Sequence, residues 1–446
     1  RGLIEEQFAS KKKLVGANIQ AIELGYHYAV ENFKCPLASN IEPMDKTAGH
    51  IMIDGNTAAA LGCVYAGATV GAWYPITPST SLMDAFRSFS EKTRVNKETG
   101  EKNFCIIQAE DELSAIGMVI GANWAGARSF TPTSGPGVSL MSEFLGFAYY
   151  AEIPLVLFNI QRAGPSTGMP TRTQQSDLLL CAYASHGDTR HVLLIPDDPR
   201  ECFDMAVQAF DLSDRLQTPI MVLSDLDIGM NDWMVPELEW DDNYRPDRGK
   251  VLTDEDLAKV EKFYRYVDSD KDGITYRTYP GGDPKGAYFV RGSSHNKWGA
   301  YTESSAEYKD LLDRLLVKWE TAKSMVPAPV FLPAKKPTTI GVIAYGSSDG
   351  AVTEALDKLA AEGVHADYMR LRAYPFNADV AAFIDDHETV FVVEQNRDAQ
   401  MRSLLILGTN IDSRKLIPVL HYDGMPIPSQ FVVDGLSSHL NPEAAA

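Results

Sequence analysis

Apolar residues first recur with a helical period over residues 4–33, where Leu14, Ile19, Ile22, Leu24, Tyr26 and Tyr28 alternate with polar neighbours. That pattern predicts one amphipathic helix, the tail of a preceding domain. Over residues 34–48 the period is lost, and Cys35-Pro36 and Glu42-Pro43 mark a linker. From about 49 to 235 short apolar runs alternate with Ala- and Gly-rich helical stretches, the signature of α/β layers. Strands are predicted at Ile51–Ile53, Ala72–Tyr74, Phe104–Gln108, Phe130–Thr131, Leu155–Ile160 and Ile220–Ser224. Helices are predicted over Asn56–Ala66, Ser79–Ser90, Glu112–Ala127, Ser139–Tyr150 and near 200–214. Residues 236–336 mix aromatic, charged and turn residues without a sustained period, except for a helix at about 304–323. Such a long irregular connector is usually functional or interfacial. A second α/β pattern fills 337–441, with strands at Thr339–Tyr345, Ala366–Leu371, Thr389–Glu394 and Leu416–Leu420. Its helices are predicted at Asp349–Glu362, Asn377–Asp386 and Ala399–Leu407, and the tail after Asn441 reads as disordered.

A chain of 446 residues accommodates two or three domains with cores of their own. Its formal net charge of −19 argues against a nucleic-acid or anionic-membrane surface, either of which needs basic stripes. The same charge repels an acidic electron carrier, so such a partner would need a local basic patch or another subunit. Cys35, Cys63, Cys105, Cys181 and Cys202 are scattered with no C-x-x-C, which reads as a reduced, cytoplasmic chain. The chain by itself offers no zinc-thiolate or iron–sulfur cradle, so no metal site is expected on it. No run of about 18 apolar residues is present, so no transmembrane helix is expected.

Candidate chemistry concentrates between Gly71 and Gly137, where small polar groups or a carboxylate sit at successive strand-to-helix junctions. Glu110, Asp111 and Glu112 open a helix whose apolar positions interleave with Gly117 and Gly121. Acids there either stabilise the helix's positive end or, at the mouth of a buried helix, share a proton with a ligand nitrogen. Arg162 ends an apolar strand and suits a small carboxylate; a local ion pair is the competing reading. Arg172 is a second candidate of this kind. Asp268-Ser269-Asp270-Lys271-Asp272-Gly273 begins like a calcium loop, but its twelfth position is Tyr279 rather than a bidentate Glu. Asp54-Gly55-Asn56 and Tyr345-Gly346-Ser347 could expose amides to an anion, yet neither fits a nucleotide-binding pattern. His186 and His191 lack metal spacing and read as structural, and His295 has no assigned place.

Together these stretches carry a resemblance. Tyr74-Pro75-Ile76-Thr77-Pro78-Ser79, Gln108-Ala109-Glu110-Asp111-Glu112, Thr133-Ser134-Gly135-Pro136-Gly137 and Gln161-Arg162-Ala163-Gly164-Pro165-Ser166-Thr167-Gly168 follow one another. In that order they resemble the α subunit of 2-oxoacid:ferredoxin oxidoreductases. The likeness spans roughly residues 50–440 and looks closest to the 2-oxoglutarate:ferredoxin type. In that type a γ-type domain can be fused ahead, and residues 1–33 would be its last helix, which suits a chain that starts at Arg1.

The resemblance implies an α/β protein of two thiamine-diphosphate-enzyme-type open parallel-sheet domains. Residues 49–235 would bind the pyrimidine of thiamine diphosphate, and 337–441 would be transketolase C-terminal-like. The family further implies a β subunit carrying the diphosphate site, Mg²⁺ and a 4Fe–4S cluster. A second α–β unit, ferredoxin as electron acceptor and coenzyme A as co-substrate complete the set. By resemblance Glu112 is the acid that shares a proton with the pyrimidine N1′, because Gly121 and Gly126 follow it at the family's intervals. Tyr74, Pro75, Ile76, Thr77, Ser134 and Gly135 would contact the cofactor; Thr77 and Arg162 would contact the substrate, and Arg172 a distal carboxylate. The implied reaction is oxidative decarboxylation of 2-oxoglutarate to succinyl-CoA, run in either direction. Pyruvate or broad 2-oxoacid specificity, a thiamine enzyme that does not use ferredoxin, and a non-catalytic ligand-binding module are the alternatives.

Overall fold

The computed structural model describes residues 1–34, 42–44 and 46–440. It separates into two compact units, Arg1–Gly49 and His50–Ala446. In the first, the single helix expected over 4–33 is broken into α1 (Gly2–Gln7), a 3₁₀ turn (Ala9–Lys11) and α2 (Lys13–Asn32). The break falls at Ser10 and the like-charged run Lys11-Lys12-Lys13, and no side-chain cap supports either helix start. Most of the predicted linker and the tail after Asn441 lie outside the described residues.

The second unit opens with β1 (His50–Ile53), α3 (Gly55–Tyr65), β2 (Val70–Trp73), α4 (Thr80–Thr93) and β3 (Cys105–Gln108). It continues through α5 (Glu112–Trp124), β4 (Ser129–Thr133), α6 (Gly135–Ala151), β5 (Leu155–Gln161), α7 (Leu178–Ala182) and β6 (Val192–Leu194). Next come α8 (Pro199–Leu216), β7 (Pro219–Asp225), α9 (Leu226–Met230), β8 (Trp233–Pro236), α10 (Asp254–Lys259) and α11 (Ser305–Ala322). The last stretch holds β9 (Val330–Leu332), β10 (Ile340–Tyr345), α12 (Asp349–Ala361), β11 (Asp367–Leu371), β12 (Ala373–Tyr374) and α13 (Ala378–Asp386). It ends with β13 (Thr389–Glu394), α14 (Gln400–Gly408), β14 (Leu416–Leu420) and α15 (Ser429–Leu440).

Two open sheets result. The larger has the order β12-β6-β7-β5-β4-β2-β3, parallel except for β12, which pairs antiparallel with β6. β5 and β7 are buried at every position, as their unbroken apolar runs require of central parallel strands. α3 packs against α4 and α8, and α5 packs against α6 and the strands β2 and β4. The smaller sheet has the order β14-β13-β10-β11-β9, with only β9 antiparallel. β1 joins neither. It pairs antiparallel with β8, so the first strand of the expected alternation is one side of a separate two-stranded ribbon. α6 also starts earlier than predicted: Pro136 sits in its first turn, where a missing N–H costs nothing.

Buried charge fastens the remaining pieces. Glu152 ends α6 in a left-handed conformation (φ 57°) and its carboxylate binds Arg314 and Lys318 of α11. Burial alone would raise that carboxyl, but Arg314 and Lys318 together outweigh it and hold it well below the usual range. Arg370 on β11 and Arg372 grip Glu201 on α8, at 2.6 and 2.7 Å, which locks the smaller sheet to the larger. In the calcium-like turn the Lys250 ammonium lies 2.6 Å from Asp270 and 2.9 Å from Asp272, and Asp268 accepts two backbone N–H groups. Those acids are already neutralised by a lysine and amides.

Candidate active site

In the larger sheet β3, β2, β4 and β5 are successive neighbours. The chain reverses its order between β2 and β4, and the crevice above such a switch point is where open α/β sheets take ligands. The loop after β2 is tied down from below. Asn56, wholly buried on α3, donates from Nδ2 to the Pro78 carbonyl and to the Ser81 hydroxyl, each at 2.8 Å. Gly55 beside it packs on Ile228 and Cys202, so this turn is filled by protein. Tyr74 and Pro75 are exposed, Ile76 is half-buried, and Thr77 faces out while its carbonyl accepts from Arg162 Nη1 at 2.6 Å.

Past β3 the three acids part company. Glu110 is exposed. Asp111 caps α5 by accepting the Ser114 N–H at 2.7 Å, a bond that holds its carboxyl below the ordinary value. Glu112 is turned inward, only 6% exposed, and among the described residues no donor reaches its carboxylate. Its Cγ lies 3.0 Å from where a side chain on Gly137 would begin, so the glycine makes room for it. Ser134, at the head of α6, is buried without making the usual cap bond, and its Oγ has no partner.

Past β5, Arg162 is 7% exposed and binds the carbonyls of Thr77 and Thr167. Its Nε has no partner. Burial draws the guanidinium down from its ordinary value, against the pull of Asp177. Arg162, Gly135 and Asp177 line a cavity of about 470 Å³ whose far wall is Asn396, Arg397 and Tyr422. Another cavity, of about 420 Å³, lies in the connector around Tyr266, Trp298 and Asp310, away from these strand ends.

Arg162 and Gly135 thus line one cavity, Arg162 ties the Thr77 loop to it, and Ser134 and Glu112 lie beside the first turn of α6 that carries Gly135 and Gly137 without lining the cavity themselves. Arg172 is not among them: its backbone pairs with Ala163 and Met169, but its side chain is exposed, bonds the Thr171 carbonyl and packs over Gly424. His186 meets Glu143 on the surface, His295 is buried against Tyr266, and His191 is buried with Nε2 donating to the Ala184 carbonyl.

The 2-oxoglutarate synthase subunit KorA of Methanothermobacter thermautotrophicus is 32% identical over 82% of this chain and 93% of its own length. The chain belongs to the 2-oxoacid:ferredoxin oxidoreductase α-subunit family. Residues 61–265 match the family described as "Pyruvate flavodoxin/ferredoxin oxidoreductase, thiamine diP-bdg". The 2-oxoacid:ferredoxin oxidoreductase subunit alpha of Saccharolobus solfataricus is 31% identical over 90% of this chain, which spans 63% of that relative's length. Among solved structures, the 2-oxoglutarate:ferredoxin oxidoreductase from Magnetococcus marinus, described with 2-oxoglutarate, coenzyme A and succinyl-CoA bound, superposes with a TM-score of 0.86 at 28% identity. That likeness covers 99% of this chain and 74% of the other.

Family motifs picked out the loops but missed three groups that complete the crevice. Asn159, on β5, donates from Nδ2 to Asp177 Oδ2 at 3.0 Å. Asn396 arrives from the smaller sheet and donates to the Gln175 carbonyl at 3.1 Å. Asp177 had one sequence signal, being the only acid between Glu152 and Asp188.

Proposed function

We propose that this chain is the pyrimidine-holding half of a thiamine-diphosphate-dependent 2-oxoacid:ferredoxin oxidoreductase. The reaction is oxidation of 2-oxoglutarate with coenzyme A to succinyl-CoA, CO₂ and reduced ferredoxin. The observation that carries the reading is the inward-turned, unpartnered Glu112 carboxylate, seated by Gly137 at the switch-point crevice. A buried acid without a donor costs stability unless something else binds it. At the head of α6 the Ser134 Oγ is likewise buried without a partner. Both fit the aminopyrimidine of thiamine diphosphate, whose ring offers nitrogens and an amino group to such partners.

Bound thiamine diphosphate supplies the electron sink that decarboxylation of a 2-oxoacid requires. Glu112 would hold a proton against the pyrimidine N1′ and so set its tautomer. Tyr74, Pro75, Ile76, Ser134 and Gly135 would form the rest of that cradle. Thr77 would orient the substrate carbonyl, and Arg162, whose Nε is free, would hold the 1-carboxylate by a charge-assisted bond. Residues 49–235 serve as the pyrimidine-binding domain, 236–336 as connector and 337–441 as the transketolase-like domain that packs against it. By family likeness the diphosphate site, Mg²⁺ and the 4Fe–4S cluster belong to a β subunit, and two α–β units pair. Among the described residues no helix is long and apolar enough to cross a membrane.

The test is anaerobic viologen reduction by the assembled complex with coenzyme A, comparing 2-oxoglutarate with pyruvate. Glu112→Ala should lower turnover by at least about 10²-fold. Retained turnover in that variant removes the role given to Glu112, and faster turnover of pyruvate than of 2-oxoglutarate overturns the substrate.

A further inference from the structure

Besides Asp398, which is paired with Arg397, the crevice holds one acid that the proposed function does not use. Asp177 lines the cavity with Arg162, yet the two do not pair: Arg162 spends its Nη1 and Nη2 on the carbonyls of Thr77 and Thr167. The Asp177 carboxyl is instead held in place by neutral groups. Asn159 Nδ2 donates to Oδ2, and the backbone N–H of Asp177 donates to Gln161 Oε1 at 3.1 Å. Both carboxyl oxygens press on Gly135, 2.7 and 2.9 Å from where a side chain would begin, so the seat exists only because residue 135 is glycine. Oδ1 has no hydrogen bond among the described residues.

An ionised carboxylate here would cancel the field of Arg162 and repel any anion entering the cavity. A protonated one adds a second donor beside the cation. We propose that Asp177 is a positioning residue that enters the ligand complex as a neutral carboxylic acid, donating to the carboxylate that Arg162 holds. Ionisation of Asp177 then expels that carboxylate.

The surrounding charges agree. Arg162, on the β5 side, favours the ionised form, but burial outweighs it and raises the Asp177 carboxyl above its ordinary value. On the α7 side the Cys181 thiol is raised by burial and is neutral. On the far wall Arg397 is spent on Asp398 by two bonds, at 2.7 and 3.0 Å, and Tyr422 is the remaining titratable neighbour. Among the described residues no second cation neutralises Asp177.

This inference rests on the role proposed for Arg162, and its test separates the two. The assembled α–β complex is titrated with succinate, a carboxylate without a reactive keto group, in two buffers of different ionisation heat from about pH 5 to about pH 9. In the wild type, affinity should fall by up to about tenfold per pH unit above the Asp177 midpoint, with uptake of one proton on binding. Asp177→Asn, which keeps a donor without a titrating proton, should bind like the wild type at low pH, with no proton uptake and a flat profile. Asp177→Ala should bind at least about tenfold more weakly at low pH. Proton uptake that persists in Asp177→Asn, an Asn variant as weak as Ala, or no binding of succinate at all overturns the proposal. A complex that turns over no 2-oxoacid sinks the proposed activity instead, and the proton count still decides the role of Asp177.

Discussion

Gly137→Ala is predicted to unseat Glu112. The new methyl group would overlap Thr133 Oγ1, and would stand 3.1 Å from Thr133 Cβ and 3.0 Å from Glu112 Cγ. Thr133 cannot simply turn away. It is fully buried on β4, and a β-branched side chain rotated about χ1 would put its methyl group where the hydroxyl was. Overpacking at such a site costs about 1–3 kcal/mol. Displacing a catalytic group by about 1 Å costs about 10²-fold in rate. Gly137→Ala should therefore lower the urea-unfolding midpoint of the assembled complex modestly and its viologen reduction severely. Thr133→Ala removes the overlapping oxygen and leaves the 3.1 Å contact to the Cβ of residue 133 and the 3.0 Å contact to Glu112 Cγ. In a double-mutant cycle it should return much of the stability lost, a favourable coupling that independent sites would not show. Thr133→Ser, which keeps the hydroxyl, should return none. Wild-type midpoint and turnover in Gly137→Ala, or additive effects in the cycle, would falsify this reading of the crevice floor.

Arg162→Ala should abolish turnover of 2-oxoacid while thiamine diphosphate still binds, as read by calorimetry; loss of cofactor binding would contradict a substrate-side role. His191 is pushed down to about 4 by burial, so the unfolded chain takes up its proton first as pH falls. Stability should then drop between about pH 6.5 and about pH 4, by up to about 3 kcal/mol, and His191→Gln should flatten that slope in urea titrations. An unchanged slope rejects the assignment. Glu152→Gln would leave Arg314 and the buried Lys318 without their counter-charge, a loss of about 3–5 kcal/mol. Adding Lys318→Met should recover part of it, and a Glu152→Gln variant within about 1 kcal/mol of wild type would count against the clamp.

What could be read from the chain beforehand follows from what determines each element. β5 and β7 announce themselves because a strand buried on both faces must be apolar throughout. Glu110, Asp111 and Glu112 stood out together because acids opening a buried helix are unusual, and only the family's intervals to Gly121 and Gly126 singled out Glu112. The ribbon of β1 with β8 was not legible: its partners are far apart in sequence, and an antiparallel pair has the same local pattern as a parallel one. The start of α6 was hidden because Gly135-Pro136-Gly137 looks like a turn, although proline is at home in a helix's first turn. β6 and β12 span only a few residues each, below any detectable period. Asp177 belongs to no periodic segment, and its meaning comes entirely from the glycine, asparagine and arginine that other strands bring to it.

The short strand β12 lies at the edge of the larger sheet, although its residues come after β10 and β11 of the smaller one. The boundary between the two sheets is therefore not a seam along which the chain can be divided. A fragment ending before Arg370 would leave β6 with a bare hydrogen-bonding edge, and Asp197 and Glu201 without the arginines that answer them. Exchange of the C-terminal part between relatives should succeed only when the Arg370–Tyr374 strip travels with its matching partner surface. The two sheets stand apart in space yet cannot be separated by one cut of the chain.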